Sequence, residues 1–485
     1  MPAHDDLDPT GARAGDAAPA ISRRRFAGLL GATGAGVAAA MAPAWTPANA
    51  ARERPFEPRH HGGGRLPRPN LLVILADDLG WADLSSYGAP EIRTPNIDRL
   101  AASGVRFTDG YSASSVCSPT RFGLYTGRYP GRLAGGLKEP IAAPNEIDGI
   151  PLDHPTLGSL LKGRGYETAL IGKWHCGYLP WFSPTRLGWD SFFGNFSGGL
   201  DYFSKINHNG AYDLYEDEVE YRDLRYYTSI LTERATSFLR RRHERPWLLN
   251  LNFTTPHWPW EGPGDRAVSD ELTARIRAGE PGVLFHDDGG SLETYREMVE
   301  DLDRSIGRVL DALRHSGRLH DTVVFFASDN GGERFSNVWP FTGAKGQVQE
   351  GGIRVPTILS WPGKLRGSQV SATPVHTTDW TATFLELAGA RPDPAYPLDG
   401  VSLVDHLFRG RPAPSHDLFW RMRGERALRR GNLKYLRLQD GADHLYDLAA
   451  DVHEQADLAR RRPADLAALR SAWEAIDATL LPYPA

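Results

Sequence analysis

The sequence predicts an α/β fold in which one large sheet is covered by helices on both faces. Two apolar runs, 70–76 and 322–327, favour this fold, because central parallel strands are buried on both sides and appear as continuous hydrophobic stretches. Helical spacing of apolar residues between these runs is the third observation. Strands and helices that alternate in this way are typical of a sheet with a helical layer on each face.

The composition narrows the possible functions. The chain has 485 residues and a formal net charge of -5, which argues against a nucleic-acid-binding protein. A chain of this length exceeds what one small core can organise, so we expect one large domain and a smaller one. The two cysteines, Cys117 and Cys176, are too few for a disulfide scaffold or a cysteine zinc cluster. Either cysteine is therefore available as a reactive residue.

Residues 1–50 have the pattern of a twin-arginine signal peptide. The run Ser22–Phe26 contains the arginine pair, a weakly apolar Gly/Ala stretch follows it, and Ala48 and Ala50 form an A-x-A-like cleavage site. We expect the mature chain to begin near Ala51 and to be secreted into the periplasm or the medium. A membrane anchor is the alternative, but this stretch is too weakly apolar to hold in a bilayer. No later segment is long and apolar enough to predict stable membrane insertion.

After a flexible leader at 51–69, strands and helices follow one another in a regular order. The first strand precedes a helical pattern around Leu100, which Gly104 is expected to cap. The alternation continues through a helix at 156–164, a strand at 168–171, a long helix at 298–313 and the strand at 322–327.

The chain changes character after Leu407. Alternating patches at 426–438, the segment Leu445–Leu448 and a terminal helix from about Pro463 predict a small α+β subdomain. We therefore divide the chain beyond the leader into a large domain, 70–407, and a C-terminal subdomain, 408–485.

Oxygen ligands follow both long strands. Asp77 and Asp78 come directly after the first strand, and Asp329 and Asn330 follow the strand that reaches Ala327. Ligands bind at the carboxyl ends of strands in open α/β sheets. Carboxylate and amide oxygens suit calcium or magnesium better than zinc. One Asp pair before a glycine is also typical of a turn, but two polar pairs at two strand ends favour a metal site.

Cys117 is predicted to lie at the N-terminus of a helix. Pro119 suits the first turn of that helix, and Gly127 suits the position just past its end. Unpaired amides and the helix dipole favour an anion there, and Arg121, one turn further on, can pair with the same charge. A thiol in this position is expected to have a lowered pKa. The alternative is a buried cysteine that packs as a small hydrophobe.

The segment Cys117–Arg121 resembles the C-x-P-x-R signature of the type I sulfatases, which include arylsulfatases and N-acetylgalactosamine-6-sulfatases and belong to the alkaline phosphatase superfamily. Other segments similar to that family occur in family order and cover the chain from Asn70 onwards. They are Leu75–Trp81, Thr94–Leu100, Gly172–His175, Thr255–His257, Ser328–Gly332, Gly343–Lys345, Glu350–Pro356 and Leu445–Leu448. The resemblance implies an alkaline-phosphatase-like large mixed sheet flanked by helices, and a sulfuric ester hydrolase.

The resemblance also implies a metal and a modified nucleophile. One Ca²⁺ would be held by Asp77, Asp78, Asp329 and Asn330, with Cys117 completing the coordination shell. Cys117 would be oxidised to formylglycine (3-oxoalanine) by a formylglycine-generating enzyme before export. The hydrated aldehyde would then supply the nucleophile that attacks a sulfate ester.

The remaining candidate residues receive roles in the same way. Arg121 and Lys173 would orient the formylglycine, and His175 would act as a base on its second hydroxyl. His257 and Lys345 would face the sulfate and its leaving oxygen. Without the resemblance, these histidines are equally consistent with hydrogen-bonded core residues and the lysines with solvated ones.

Two other functions remain open at this point. One is a phosphonate monoester hydrolase of the same superfamily, which shares the signature; a metal-dependent phosphate monoester hydrolase is less favoured, because its usual two-metal site needs additional Asp and His ligands that the sequence does not offer. A noncatalytic secreted carbohydrate-binding relative would keep the fold, but the complete set of catalytic residues argues against it. Cys176 stands where the family usually has an aliphatic residue, and we assign it no role.

Two aromatic segments bear on the substrate. Gly198–Phe203 and His257–Trp260 resemble segments of arylsulfatases and N-acetylgalactosamine-6-sulfatases. Trp258 and Trp260 are candidates for stacking on a sugar, although tryptophans beside prolines also pack loops. We expect a sulfated carbohydrate as substrate, with a simple aryl sulfate as the alternative.

Overall fold

A large central sheet organises the chain in the computed structural model, which describes residues 54–57 and 66–483. The predicted signal peptide and most of the predicted leader lie outside the described residues. The strands are β1 (Arg54–Pro55), β2 (Asn70–Ala76), β3 (Val105–Phe107), β4 (Gly110–Tyr111), β5 (Glu167–Gly172), β6 (Ser191–Gly194), β7 (Tyr215–Glu216), β8 (Val219–Glu220), β9 (Trp247–Asn252), β10 (Thr322–Ser328), β11 (Thr357–Ser360), β12 (Gln369–Ser371), β13 (Val375–His376), β14 (Leu418–Met422), β15 (Glu425–Arg430), β16 (Leu433–Arg437) and β17 (Asp443–Asp447).

Helices connect these strands, as the alternating pattern predicts. They are α1 (Pro95–Ala102), α2 (Cys117–Thr126), α3 (Leu157–Gly163), α4 (Tyr227–Arg240), α5 (Arg266–Arg277), α6 (Leu292–His315), α7 (Glu350–Ile353), α8 (Thr377–Ala388), α9 (Val404–Arg409) and α10 (Pro463–Asp477). Within the described residues, none of the helices combines the length and the apolar character that a membrane span requires.

The central sheet is mixed, and its strands have the order β1-β12-β3-β11-β10-β2-β9-β5-β6-β7-β8. The neighbouring strands β10, β2, β9 and β5 run parallel, and Ser328 at the end of β10 is level with Ala76 at the end of β2. Only β11, on the far side of β10, is antiparallel within this central region. The carboxyl ends of four adjacent strands therefore lie along one edge of the sheet.

Helices cover both faces of this sheet, which confirms the predicted α/β class. Side chains alternate along β2, so Leu71, Val73 and Leu75 join one core while Leu72 and Ile74 join the other. The first core contains residues of α2, α3, α8 and α9, and the second contains residues of α1, α4 and α6. Burial on both faces explains why β2 is apolar at every position from Leu71 to Ala76.

The predicted cap of α1 is wrong by one position. The helix ends at Ala102, and Ser103, in a right-handed conformation, is its C-cap. Gly104 follows the cap and has a different reason to be glycine, since a Cβ there would lie 2.1 Å from the carbonyl oxygen of Leu359. The glycine allows the chain to approach β11 closely.

A second, four-stranded antiparallel sheet forms the C-terminal part of the fold, in the order β14-β15-β16-β17. Helix α10 covers one face, where Trp473 stacks on Phe419 at 5.3 Å between ring centroids. The other face packs against Val116 and Val348, and Trp420 Nε1 donates a hydrogen bond of 2.7 Å to the carbonyl of Ser112. The predicted boundary after Leu407 falls inside α9, and the division into a domain at 70–407 and a subdomain at 408–485 remains a prediction.

Buried ion pairs join this C-terminal sheet to the large domain. Lys434 Nζ lies 2.9 Å from Glu350 Oε1 and 2.8 Å from Glu454 Oε1, and none of these side chains is exposed. Arg429 Nη2 on the same sheet lies 2.7 Å from Asp109 Oδ2. Because an unpaired buried charge is costly, these contacts fix how the two parts of the chain fit together.

Candidate active site

The predicted site residues meet at the shared edge of the four parallel strands. Each of β2, β10, β5 and β9 is followed by polar residues that project at this edge, as expected for the carboxyl ends of parallel strands. These residues are Asp77 and Asp78 after β2, Asp329 and Asn330 after β10, Lys173 and His175 after β5, and His257 after β9.

Cys117 reaches the same place from a helix. It is the first residue of α2, every residue of which is buried, and the helix ends at Gly127 with a left-handed φ of 68°. These positions confirm the predicted helix and its glycine end. Potential ligand atoms of Asp77, Asp78, Cys117 and His257 all lie within 4.8 Å of one another. The structure therefore brings the thiol to the carboxylates that were predicted from the strand ends.

Three carboxylates and three cations alternate around this point. Lys173 Nζ lies 2.6 Å from Asp77 Oδ2, Arg121 Nη2 lies 2.7 Å from Asp329 Oδ2, and Lys345 Nζ lies 2.6 Å from Asp78 Oδ2. The formal charges of these six groups cancel. The pairing explains how so many ionisable side chains can be buried together without an unbalanced charge.

Burial and mutual charge shift the pKa values of these groups. Burial, followed by the nearby Asp329 carboxylate, raises the pKa of Asp77 well above its usual range, although Lys173 and Arg121 oppose this. Burial would lower the pKa of Lys173, but Asp77, together with smaller effects of Cys117 and Asp329, outweighs it, so the pKa is raised. Burial is likewise outweighed at Lys345 by Asp78 together with Cys117 and Glu333, so the pKa of Lys345 is raised as well. Both lysines are therefore fixed cations.

Both histidines are buried and neutral. Burial, then the charge of Lys173, lowers the pKa of His175 well below its usual range. Burial, then the charge of Lys345, does the same for the pKa of His257. His175 Nε2 lies 2.9 Å from the carbonyl of Ile141 and so carries the proton, which leaves Nδ1 as an acceptor without a hydrogen-bond partner among the described residues.

The second histidine has the opposite tautomer. His257 Nδ1 donates to the carbonyl of Trp258 at 2.8 Å, so its Nε2 carries the lone pair. That nitrogen lies 3.6 Å from Asp78 Oδ2. The lone pair of His257 Nε2 and the Asp78 carboxylate oxygen face each other, and this arrangement favours a cation or a proton between them.

The expected lowered pKa of the Cys117 thiol is wrong. Burial raises the pKa of Cys117 to about 12, and this effect outweighs the opposite influence of Lys173 and Lys345. The side chain is only 2% exposed, so desolvation of a thiolate dominates over the helix N-terminus. The unmodified cysteine is therefore a poor nucleophile at neutral pH.

Two of the site residues have a strained backbone. Asp78 has a φ of 62° and His175 a φ of 54°, both in the left-handed region that residues other than glycine rarely adopt. Such a conformation costs on the order of 1–3 kcal/mol and persists only where its surroundings fix it. Here the surroundings include the Asn330 amide, which donates 2.7 Å to Asp78 Oδ1, and the carbonyl of Ile141, which binds His175.

The donor set fits a hard divalent cation. Asp77 Oδ1 and Asn330 Oδ1 are buried and have no hydrogen-bond partner in the described part of the chain. Asp78 N donates 3.3 Å to Asp329 Oδ1, which brings the residues after β2 and β10 side by side. Unpaired buried oxygens next to further carboxylates are the surroundings that Ca²⁺ or Mg²⁺ would complete.

Two residues around the site were not predicted from the sequence. Glu333 Oε2 lies 3.2 Å from Lys345 Nζ, and the Tyr202 hydroxyl donates to the carbonyls of Thr254 and His257 at 3.0 and 2.9 Å. Glu333 closely follows the predicted ligands after β10, which was the only available signal. Cys176 is fully buried in the hydrophobic core beside the site, in agreement with its having no assigned role.

The two candidate stacking tryptophans have different surroundings. Trp260 is 2% exposed and packs in the core against Phe335 at 5.3 Å between ring centroids. Trp258 is half-buried, and its ring centroid lies 5.8 Å from Lys345 Nζ and 4.8 Å from the exposed ring of Phe285. Only Trp258 therefore stands at the border of the polar cluster.

Known proteins similar to this chain share one family. The family model described as Sulfatase matches residues 69–390. Mouse arylsulfatase J is 33% identical over 72% of this chain, and human N-acetylgalactosamine-6-sulfatase is 34% identical over 71% of it. The matches span 58% and 66% of those relatives, so the chain covers less than two thirds of either. The crystal structure of Ps i-CgsB is similar with a TM-score of 0.76 and 28% identity, over 86% of this chain and 94% of that one.

Proposed function

The chain belongs to the sulfatase family, and on that premise we propose that it hydrolyses sulfate monoesters. The observation that carries the proposal is the buried cluster of three carboxylates and three cations around Cys117. This cluster is formally neutral, so one divalent cation would leave it positive. A positive, desolvated pocket favours an anionic ester and the negative charge that develops in its transition state.

The residues after β2 and β10 would hold the metal. Asp77, Asp78, Asp329 and Asn330 would bind one Ca²⁺ together with residue 117. The ion would act as a Lewis acid toward the sulfate oxygens, and formylglycine at position 117 would supply a hydrated aldehyde as nucleophile. In support, two of these ligands have unpartnered buried oxygens, and the Cys117 thiol itself is deeply buried.

The cations orient the reacting groups. Arg121 donates from Nη1 to the carbonyl of Lys173 at 3.1 Å and from Nη2 to Asp329, so its guanidinium is fixed beside position 117. Lys173 is fixed by Asp77 in the same way. Two immobile cations can hold the nucleophile and the sulfate in line, and such positioning costs nothing at the moment of reaction.

Proton transfers fall to the histidines and Lys345. His175 Nδ1 is an unpartnered acceptor in a neutral ring, which suits a base that removes a proton from residue 117. Lys345 Nζ has three N–H groups, of which Asp78 and Glu333 accept two, so the third is available to the leaving oxygen. His257 Nε2 lies on the same side of the cluster, and with Lys345 it faces the sulfate and its leaving oxygen; in its protonated form this nitrogen donates a hydrogen bond there.

The substrate is proposed to be a sulfated carbohydrate. Trp258 borders the cluster beside Lys345 and His257, where the alcohol part of the ester would leave. Aromatic faces of this kind pack against the apolar face of a sugar ring. Ps i-CgsB, the similar solved protein, also has a structure in complex with k-i-k-neocarrahexaose, which supports a carbohydrate ligand. An aryl sulfate is the alternative, supported by the similarity to arylsulfatase J.

Export and modification complete the proposal. The arginine pair Arg23–Arg24 would direct export of a folded chain by the twin-arginine route, after a formylglycine-generating enzyme has acted on Cys117. Replacing both arginines by lysine should keep the protein in the cytoplasm with its signal uncleaved. Mature, exported protein from that double variant would show that another signal is used.

Mass spectrometry and a substrate panel test the central proposal. In active protein, the tryptic peptide Phe107–Arg121 should be lighter than its thiol form and should react with a hydrazide probe. Activity toward sulfated mono- and oligosaccharides should scale with the modified fraction and exceed activity toward phosphate or phosphonate monoesters. Cys117→Ala should abolish turnover, whereas the matched variant of the other buried cysteine, Cys176→Ala, should retain it. Full activity with an unmodified Cys117 would overturn the mechanism.

A further inference from the structure

Two adjacent glycines lie directly against the two buried histidines. A Cβ atom built at Gly198 would lie 2.6 Å from Cε1 and 2.9 Å from Nε2 of His175. A Cβ atom built at Gly199 would lie 2.8 Å from Cε1 of His257 and 2.7 Å from Cζ3 of Trp258. Carbon atoms do not approach so closely, so any other residue at either position would displace a ring or the backbone.

The backbone does not require glycine at these positions. Neither residue has a φ in the left-handed region where glycine is favoured. The reason for glycine is therefore the absence of a side chain and not conformational freedom. An alanine at either position would keep a relaxed backbone and change only the contact with the histidine.

The histidines have little freedom to move away. His175 is 1% exposed, has a φ of 54° and is bound through Nε2 to the carbonyl of Ile141. His257 is also 1% exposed, and its backbone is held by the Tyr202 hydroxyl at the carbonyl and by the Thr254 carbonyl at the amide. A shift of the His175 ring would break its bond to Ile141, and a shift of the His257 ring would break the 2.8 Å bond from Nδ1 to the Trp258 carbonyl.

The glycine segment is held just as firmly from the other side. Asp213, a buried carboxylate, accepts hydrogen bonds from Phe196 N at 3.0 Å and from Ser197 N at 2.8 Å. Asn195 Nδ2 donates 2.8 Å to the Ser197 carbonyl, and Ser197 Oγ donates 3.1 Å to the Gly199 carbonyl. With both partners fixed, the contact itself sets where each imidazole lies.

We infer that Gly198 and Gly199 are positioning residues, which set the imidazole rings of His175 and His257 respectively. The inference rests on the proposed function, in which these rings serve different proton transfers. It also gives a role to the start of the Gly198–Phe203 segment, which the sequence analysis considered only as an aromatic segment that bears on the substrate. Because each glycine touches one histidine, the two substitutions should affect different parts of the reaction.

Kinetic measurements on Gly198→Ala and Gly199→Ala test this assignment. Each variant should lose about a hundredfold in kcat with KM little changed, since a displacement of about 1 Å at a reacting group has effects of that size. The loss for Gly199→Ala should grow as the leaving alcohol becomes poorer, because His257 faces the leaving group. The loss for Gly198→Ala should be independent of the leaving group. Gly264→Ala, where a Cβ would meet no atom within 4 Å, is the matched control and should leave activity unchanged.

Double-mutant cycles separate positioning from a general loss of structure. In a His175→Ala background, Gly198→Ala should cause no further loss of kcat, because the ring that it displaces is gone. For Gly199→Ala, whose Cβ also meets Trp258, the loss should be smaller in a His257→Ala background than in the wild type. Additive losses in both backgrounds, or wild-type kcat in either single variant, would overturn the inference.

A stability cycle gives a readout that does not depend on turnover. Gly198→Ala should lower the melting temperature in the wild-type background and lower it much less in the His175→Ala background, where space has opened. This result would hold even if no sulfate ester proved to be a substrate, so it tests the contact separately from the proposed function. An equal loss in both backgrounds would show that the Cβ meets something other than His175.

Discussion

Lys173 Nζ lies 2.6 Å from Asp77 Oδ2, and neither side chain is exposed to solvent. The two residues follow different strands, β5 and β2, which are separated in the sheet by β9. The ion pair therefore links the carboxyl ends of β5 and β2 at the candidate metal site. It is also the closer of two cationic contacts of Asp77, since Arg121 Nη2 lies 3.8 Å from Asp77 Oδ1 in the same desolvated pocket.

Removal of the Lys173 charge should be costly to stability as well as to activity. Lys173→Met leaves Asp77 buried beside Asp329 and Asp78, so the free energy of unfolding should fall by about 3 kcal/mol. Lys138→Met is the matched control, because the Lys138 side chain is half-exposed and its Nζ lies 3.7 Å from Asp148 Oδ2. Such a surface pair contributes about 0–1 kcal/mol. Urea denaturation of both variants measures the difference, and equal losses would contradict the buried pairing.

Calcium should stabilise the folded protein through the ligands at the strand ends. At a concentration about a hundred times the Kd, a bound ion adds about 2.7 kcal/mol to the free energy of unfolding, which a thermal-shift titration detects. Asp78→Asn should abolish most of that shift. Asp303→Asn changes another buried carboxylate, which accepts hydrogen bonds at the start of α1, and should preserve the shift. A full calcium shift in Asp78→Asn would argue against the proposed ligand set.

Trp258 and Trp260 should respond to substitution in opposite ways. Trp258→Ala should reduce kcat/KM for a sulfated oligosaccharide about tenfold, the equivalent of one lost stacking contact, with little change in stability. Trp260→Ala should instead lower the free energy of unfolding by about 3–5 kcal/mol, because it empties a packed core site. Kinetics and denaturation on both variants check this. Unchanged oligosaccharide kinetics in Trp258→Ala would remove that residue from the substrate site.

His376 should make stability depend on pH. Burial lowers its pKa from 6.5 to about 4, so between these values the unfolded chain binds a proton that the folded chain does not. The contribution of His376 is therefore complete above pH 6.5 and is lost as the pH falls toward 4. Near it, the Asp379 carboxylate raises the pKa of His416, and that residue contributes in the opposite direction.

The His376→Asn variant isolates this effect. Asparagine retains an N-cap acceptor for α8, a position where the His376 side chain accepts from Thr378 N, but it does not titrate. Between pH 7 and pH 5, the wild type should lose about 2 kcal/mol more of its free energy of unfolding than the variant. Chemical denaturation at the two pH values measures this, and parallel losses would show that His376 is not the titrating group.

The parts of the site that the sequence predicted are those with local signals. Apolar runs identify β2 and β10, and the polar residues that follow such runs must project at a strand end, so Asp77 and Asp329 could be placed before their contacts were known. The N-terminal position of Cys117 followed from Pro119 and Gly127 for the same reason. Local patterns of this kind do not depend on which strands are neighbours.

The parts that the sequence missed depend on contacts between distant segments. Gly198 contacts His175 although β6 lies between them in the chain, and Glu333 contacts Lys345 from a different part of the segment after β10. No spacing rule predicts either contact. The pKa of Cys117 was wrongly predicted because a helix N-terminus is visible in the sequence, whereas the depth of burial that outweighs it is not.

The ion pairs between Lys434 and the carboxylates of Glu350 and Glu454 limit how such a chain could be recombined with a relative. A hybrid that received a foreign C-terminal sheet without a lysine at position 434 would remove one of the cations that pair with the buried Glu350, leaving Arg354 Nη1 at 3.1 Å. Glu350 begins α7, only a few residues after Lys345. The loss of this ion pair would therefore distort the candidate active site as well as the contact between the C-terminal sheet and the rest of the chain. The C-terminal sheet therefore cannot be exchanged on its own, and a hybrid would fold correctly only if Glu350 and Lys434 came from the same parent protein.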